Sequence, residues 1–222
     1  MYRDMLVELY DKNIIEKNFN STVFLENLLL SDHIHPKELE IDKKQTLIEA
    51  GVHNENIYFI RRGIVSSSLG FMGKGRFLGL DTLVMNDKPL CTIQTIEPCE
   101  LYVFEKLEVM EYLFSLQEGW LFLYLIEKEE RNLLLKNHSF LTLKGLERME
   151  AVLIDLAQDF GVREDDMVIL PKSFSKKLIA EYANLSVNTI TILIKELKKE
   201  HFLKTKTANN LFYINGSKVP MK

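Results

Sequence analysis

Phe174–His201, FSKKLIAEYANLSVNTITILIKELKKEH, is the stretch whose reading decides the fold. Leu178, Ile179 and Tyr182 share one helical face, and Ile190, Leu193, Ile194 and Leu197 recur at helical spacing on a second element. Ser175 and Ser186 precede these two patterns, where a hydroxyl accepts an orphan backbone N–H. Asn184 falls at the break between them, and asparagine tolerates left-handed backbone better than most residues. Val187, Asn188, Thr191, Ile192 and Lys195 are left outside the apolar stripe. The expected layout is a helix-turn-helix whose second helix enters a DNA major groove.

Two short strand patterns follow, Phe202–Thr205 and Asn210–Ile214, around a polar turn at Lys206–Asn209. A hairpin after a helix-turn-helix makes a winged helix. Charge agrees with a DNA reader. Pro171–Lys222 holds ten lysines, no arginine and three glutamates, a net of +7. The whole chain is −4, so residues 1–170 carry −11. Clustered lysine attracts phosphate, whereas the acidic remainder repels it.

The 222 residues, 46% of them apolar, suit two soluble domains. Met1–Lys17 is polar and carries acids, unlike a secretory leader, and the apolar run Trp120–Ile126 is too short to span a bilayer. A cytoplasmic location without membrane association is expected. Cys91 and Cys99 form neither a disulfide framework nor a zinc-ligand pattern. His33 and His35 could share one strand face, but no third ligand stands at helpful spacing, so no metal or other cofactor is expected. No nucleophile–base arrangement declares itself, and no catalytic residue is assigned.

Residues 1–30 show helical apolar spacing, and around Ser31–Pro36 the period changes. Short strands are expected at Glu38–Ile41, Gln45–Ile48, Asn56–Ile60, Ile64–Val65, Arg76–Leu78, Cys91–Ile96 and Glu100–Phe104, separated by turn residues such as Gly51 and Gly63. Such a series implies a small barrel or jelly roll. Leu107–Phe114 then reads as a short helix, and Leu116 to about His138 as a long one. Apolar residues surround the long helix between Trp120 and Ile126, so a second surface should cover it. Trp120, Leu123, Tyr124, Ile126 and Leu133 are the residues expected to pair it with a second copy. Leu143–Phe160 is one more amphipathic helix, with Gly161 as its C-cap. The fold class expected is α+β. It comprises a barrel sensor domain with N-terminal helices (1–115), a linking and dimerisation helix (116–140) and a winged-helix domain (141–222).

Barrel, long helix, helix-turn-helix and wing, in that order, resemble the cyclic-AMP receptor/fumarate-nitrate regulator (CRP/FNR) family of bacterial transcription factors. The landmarks are Tyr58–Val65, Gly75–Gly79 and the helix-turn-helix with its wing, and the likeness runs from about Leu39 to Gly216. A distant branch, that of the Listeria virulence activator, is also compatible with the low arginine content. The resemblance implies a homodimeric, non-enzymatic regulator that binds an inverted repeat in double-stranded DNA, with RNA polymerase as a further candidate partner. By position, Lys176, Lys177, Ser186 and Thr189 match phosphate-contacting residues of the family. Val187, Asn188 and Ile192 stand where the cyclic-AMP receptor type has Arg, Glu and Arg, which puts the usual operator in doubt.

The sensor departs too. Leu80 follows Gly79 where nucleotide binders of the family place a glutamate, and Leu90-Cys91 lies near the position of their Arg-Ser pair. No arginine occurs between Phe77 and Glu130, so cyclic-nucleotide binding is not expected and the effector is left unassigned. The alternative class is a cupin-like small-molecule or metal enzyme with an appended helical domain.

Overall fold

Alternation within Asn56–Arg62 builds the first half of the molecule. In this strand Ile57 and Phe59 enter one apolar cluster, while Tyr58 and Ile60 enter another on the opposite face. A strand buried on both faces reads as a continuous apolar run, and Ile57–Ile60 is such a run. The computed structural model describes residues 7–83, 86–204 and 212–220. It divides into two compact units, Met1–Leu134 and Leu135–Lys222.

The first unit begins with α1 (Lys12–Asn18) and α2 (Ser21–Leu30). Asp11 caps α1 by accepting the Asn13 N–H, and Asn20 caps α2 by accepting those of Thr22 and Val23. Eight strands follow: β1 (Lys37–Ile41), β2 (Thr46–Ile48), β3 (Asn56–Arg62), β4 (Val65–Ser67), β5 (Gly70–Met72), β6 (Phe77–Leu78), β7 (Ile93–Thr95) and β8 (Cys99–Glu105). They form two four-stranded sheets, β1-β8-β3-β6 and β2-β7-β4-β5, and every pairing is antiparallel. This is the expected jelly roll. The hairpin between β4 and β5 is short, with Ser67 paired to Gly70. Gly63 is obligatory at the turn from β3 into β4: its φ is +100°, and a Cβ there would lie 2.5 Å from the Cys99 Sγ.

Two helices close this unit, α3 (Lys106–Ser115) and α4 (Trp120–Leu141). Phe122 and Ile126 of α4 join Phe24, Leu28, Phe77, Phe104 and Val109 in the cluster outside the β3 sheet. Leu121 and Leu125 meet Ile15 of α1, and Leu133 packs on the cluster between the sheets. Ion pairs fasten α4 further, Lys128 to Glu16 at 2.8 Å and Arg76 to Glu129. These contacts engage three of the residues expected to pair with a second copy. Ile126 is 6% exposed and belongs to its own domain's core, and Leu123 and Leu133 are partly buried there too.

The second unit contains α5 (Gly145–Phe160), β9 (Val162–Glu164), β10 (Met167–Ile169), α6 (Lys176–Tyr182), α7 (Val187–Lys199) and β11 (Tyr213–Asn215). α5 buries Met149, Val152, Leu153, Leu156 and Ala157 on one face. Gly161 is its C-cap, as expected, and donates its N–H to the Ala157 carbonyl at 3.0 Å. Its φ is −75°, not left-handed, and a Cβ would stand 2.4 Å from the Ala157 carbonyl oxygen and the Val168 Cγ1. The described ends of the two expected wing strands meet: Leu203 bridges Ile214, the Lys204 N–H donates to the Tyr213 carbonyl at 2.8 Å and the Asn215 N–H to the Phe202 carbonyl at 2.9 Å. β11 also pairs with β10, in a three-stranded antiparallel sheet of order β11-β10-β9. The turn expected at Lys206–Asn209 lies outside the described residues.

Candidate nucleic-acid interface

Two serine caps set the limits of the helix-turn-helix. Ser175 Oγ accepts the Leu178 N–H at 3.2 Å to start α6. Asn184 turns the chain with φ 51°, and Leu185 N–H donates back to the Ala180 carbonyl at 2.9 Å. Ser186 Oγ then accepts the Thr189 N–H at 3.0 Å and starts α7. Ile190, Leu193, Ile194 and Leu197 are buried, so the opposite face of α7 is fixed outward.

On that outward face Val187 is 45% and Ile192 57% exposed, and Asn188 and Lys195 are exposed beside them. Lys176 and Lys177 are exposed at the start of α6, with Lys177 3.8 Å from Glu181 one turn on. Three hydroxyls are engaged locally. Ser186 and Thr189 share a hydrogen bond of 2.8 Å, and Thr191 Oγ1 donates to the Val187 carbonyl at 2.9 Å. Their lone pairs and the α7 N-terminus still offer polar contact to a phosphate.

Sequence reasoning missed Arg148, on the second turn of α5. Its guanidinium donates to the carbonyls of Leu141 and Leu143 at 2.9 and 3.0 Å. It also reaches those of Ala183 and Asn184, at 3.3 and 3.5 Å, in the turn itself. No side-chain pattern marks such a residue, because its partners are backbone oxygens.

Along α4 the residues Trp120, Tyr124, Glu127, Arg131, Leu134, His138 and Leu141 repeat at alternating steps of four and three, and all are exposed. That is heptad spacing, with Trp120, Tyr124, Leu134 and Leu141 apolar or aromatic and Glu127, Arg131 and His138 polar. Trp120 and Tyr124 stack edge to face, with centroids 6.2 Å apart.

Leu80, the residue after Gly79, is 7% exposed within the cluster of Phe24, Phe77 and Phe104. Lys106 is the one buried cation among the described residues, and its ammonium donates to the carbonyl and hydroxyl of Thr82 at 2.9 and 3.1 Å. Lys88 is exposed. Burial pushes the Cys99 thiol up to about 11, which keeps it protonated and unreactive at neutral pH. Among the described residues no three His, Cys, Asp or Glu side chains are grouped to hold a metal, and no helix is long and apolar enough to cross a membrane.

Glu130 of α4 stands out electrostatically. Burial, reinforced by the Asp81 and Glu127 carboxylates and opposed by Arg76, pushes it up to about 7 from an ordinary 4.5. A folded value above the unfolded one means that folding favours the protonated form. The stabilising contribution is complete below about pH 4.5 and is lost as pH rises through about 7. Glu130→Gln is therefore expected to gain stability over the parent at pH 8 and to lose that advantage by pH 5. Urea unfolding at the two pH values is the check; an equal difference at both would contradict the assignment.

Comparison with known proteins agrees with this architecture. Residues 38–115 match the cyclic nucleotide-binding domain family. No curated protein sequence matches the chain significantly. Among solved structures, a cyclic nucleotide-binding domain containing protein from Listeria monocytogenes EGD-e superposes with a TM-score of 0.70 at 18% identity, covering 90% of this chain and 98% of its own. The c-di-GMP-responsive global regulator CLP of Xanthomonas campestris gives 0.68 at 19% identity, covering 88% and 99%. A CRP/FNR-family transcriptional regulator from Thermus thermophilus gives 0.61 at 17%, covering 80% and 93%. At these identities the likeness is one of fold, and it does not assign a branch. Residues 38–115 thus form a domain of the cyclic nucleotide-binding type, in a chain whose fold is that of the CRP/FNR transcription regulators.

Proposed function

We propose that the chain is a homodimeric transcription regulator that reads DNA through the outward face of α7 and does not respond to cyclic nucleotides. The observation that carries this reading is the capped helix-turn-helix. It leaves Val187, Asn188, Ile192 and Lys195 outward on an element buried by Ile190, Leu193, Ile194 and Leu197. Lys176 and Lys177 supply phosphate attraction, and Asn188 can bond both N6 and N7 of adenine. Val187 and Ile192 are suited to thymine methyl groups. With no arginine on this face, the preferred half-site is rich in A·T. Two-fold symmetry about the α4 seam then calls for an inverted repeat with half-sites about one helical turn apart.

Selection of bound sites from random duplex DNA tests the reading. An A·T-rich inverted repeat is expected; a guanine-rich or asymmetric site would overturn it. Within that site Lys176→Ala should weaken all sequences alike, and Asn188→Ala should relax preference at one base pair.

Cyclic nucleotides are expected not to bind. An anionic phosphate entering the barrel loses its water, at several kcal/mol unless a cation and aimed donors replace it. Here Leu80 is core, the Lys106 ammonium is already held by Thr82, and no arginine lies between Arg76 and Arg131. Calorimetry with cyclic AMP and cyclic GMP should give no heat of binding, and micromolar affinity for either would contradict the account.

A further inference from the structure

We propose that Arg148 and Tyr182 are positioning residues that set which half-site spacing the dimer accepts, acting through the joint between the end of α4 and the helix-turn-helix. The proposal rests on the dimeric DNA reader argued above.

The last four carbonyls of any helix lack partners within it, and the negative end of its dipole lies there. Arg148 serves two such ends at once. Its Nη2 donates to Leu141, the last residue of α4, and to Leu143 beyond it, at 2.9 and 3.0 Å. Its Nη1 donates to Ala183, the C-cap of α6, at 3.3 Å, and lies 3.5 Å from the Asn184 oxygen. The guanidinium is a planar fork of five donors, so it holds these ends in direction as well as in distance.

A second tie lies one turn away. Tyr182, the last residue of α6, donates its hydroxyl to Asn137 Oδ1 of α4 at 2.5 Å and lies 3.3 Å from the Asp155 carboxylate of α5. Lys136 of α4 pairs with that same Asp155 at 2.6 Å and with Asp159 at 3.5 Å. The Tyr182 ring meets Phe140 edge-on, at 6.3 Å between centroids. Residues 136–141 of α4 are thus tied to α6 by the Tyr182 hydrogen bond and ring contact and through the Arg148 bridge, and to α5 by the Lys136 ion pairs, and α6 is joined to α7 through the Asn184 turn.

Apolar packing alone would let α6 slide on the α4 end, whereas these polar ties are lost on a small rotation. Neither Arg148 nor Tyr182 is on the outward face of α7, so neither reads a base. What they fix is the direction in which α7 leaves residues 136–141, the end of α4. In a two-fold dimer that direction sets the separation and relative rotation of the two recognition helices, and hence the half-site spacing.

The experiment has two arms, each on the full chain and its Arg148→Gln and Tyr182→Phe variants. The second variant keeps the ring packing and removes only the hydroxyl. Circular dichroism and thermal unfolding establish that each is folded. In the first arm, spin labels at Ser139→Cys, exposed and off the seam, and Lys195→Cys, in a Cys91→Ser background diluted with unlabelled chain, report the distance between α4 and α7 without DNA. A single narrow distribution is expected, broadening in both variants; unchanged width in both overturns the joint.

The second arm compares the selected inverted repeat with versions one base pair longer and shorter. The parent should lose about tenfold or more in affinity on either change, since one base pair also rotates the second half-site about the duplex axis. Both variants should lose about threefold or less, while a single-base change within the half-site costs them the same factor as the parent. A variant that keeps the parent's spacing penalty, or loses base preference together with it, overturns the assignment. If the labels behave as expected but the parent shows no preference for inverted repeats, the joint stands and the DNA reading has failed.

Discussion

Tyr124→Glu is expected to raise the dimer dissociation constant about 1000-fold or more and to leave monomers at micromolar concentration. Tyr124 lies on the α4 seam with Trp120 and Leu134, all three exposed although large and apolar. In the proposed dimer an aromatic seam residue is lost from both copies, and each gains a carboxylate in the interface without a partner. Because Tyr124 is 47% exposed in the single chain, its own domain should survive the change. Ile126→Glu would be a poor substitute, since Ile126 is in the core and its loss would unfold the unit. Leu123 is ambiguous for the same reason. Sedimentation showing an intact dimer of Tyr124→Glu would place the pairing surface elsewhere.

The second large effect concerns stability. Phe24 of α2 is fully buried, with its ring 4.9 Å from that of Phe77 and 4.8 Å from that of Phe122. It therefore joins a helix, the β6 strand and α4 around one point. Truncating a phenylalanine in such a place removes its transfer free energy and leaves a cavity, at about 3–5 kcal/mol. For a unit of this size the melting temperature should fall by about 10 °C or more. Calorimetry of Phe24→Ala should show the lowered transition; a shift below about 3 °C would mean that α2 is not part of the cooperative core.

Much of this fold was legible because its signals are local. Ser175 and Ser186 precede their apolar stripes by the spacing a cap requires, and both hydroxyls accept the backbone N–H groups expected of them. The β strands announced themselves through short apolar runs between turns. What stayed hidden depends on partners distant in sequence. The face of α4 that meets its own domain was illegible because Trp120–Ile126 is apolar all round. Periodicity there has no phase, and Leu123, Ile126 and Leu133 turned inward while Trp120 and Tyr124 did not. The hairpin of β9 and β10 was missed because each strand has three residues and Val162, Arg163 and Glu164 are exposed. Arg148 gave no sign, since a guanidinium that serves carbonyl oxygens is indistinguishable in sequence from a surface cation.

The central claim is that α7 reads base sequence. Its most direct test is the affinity of the intact chain for the selected inverted repeat against a scrambled duplex of equal composition, titrated at fixed salt. The account predicts at least about 1000-fold tighter binding to the inverted repeat. Equal affinity for the two duplexes would show that the basic end of the chain attracts phosphate without reading the bases between, and would contradict the account.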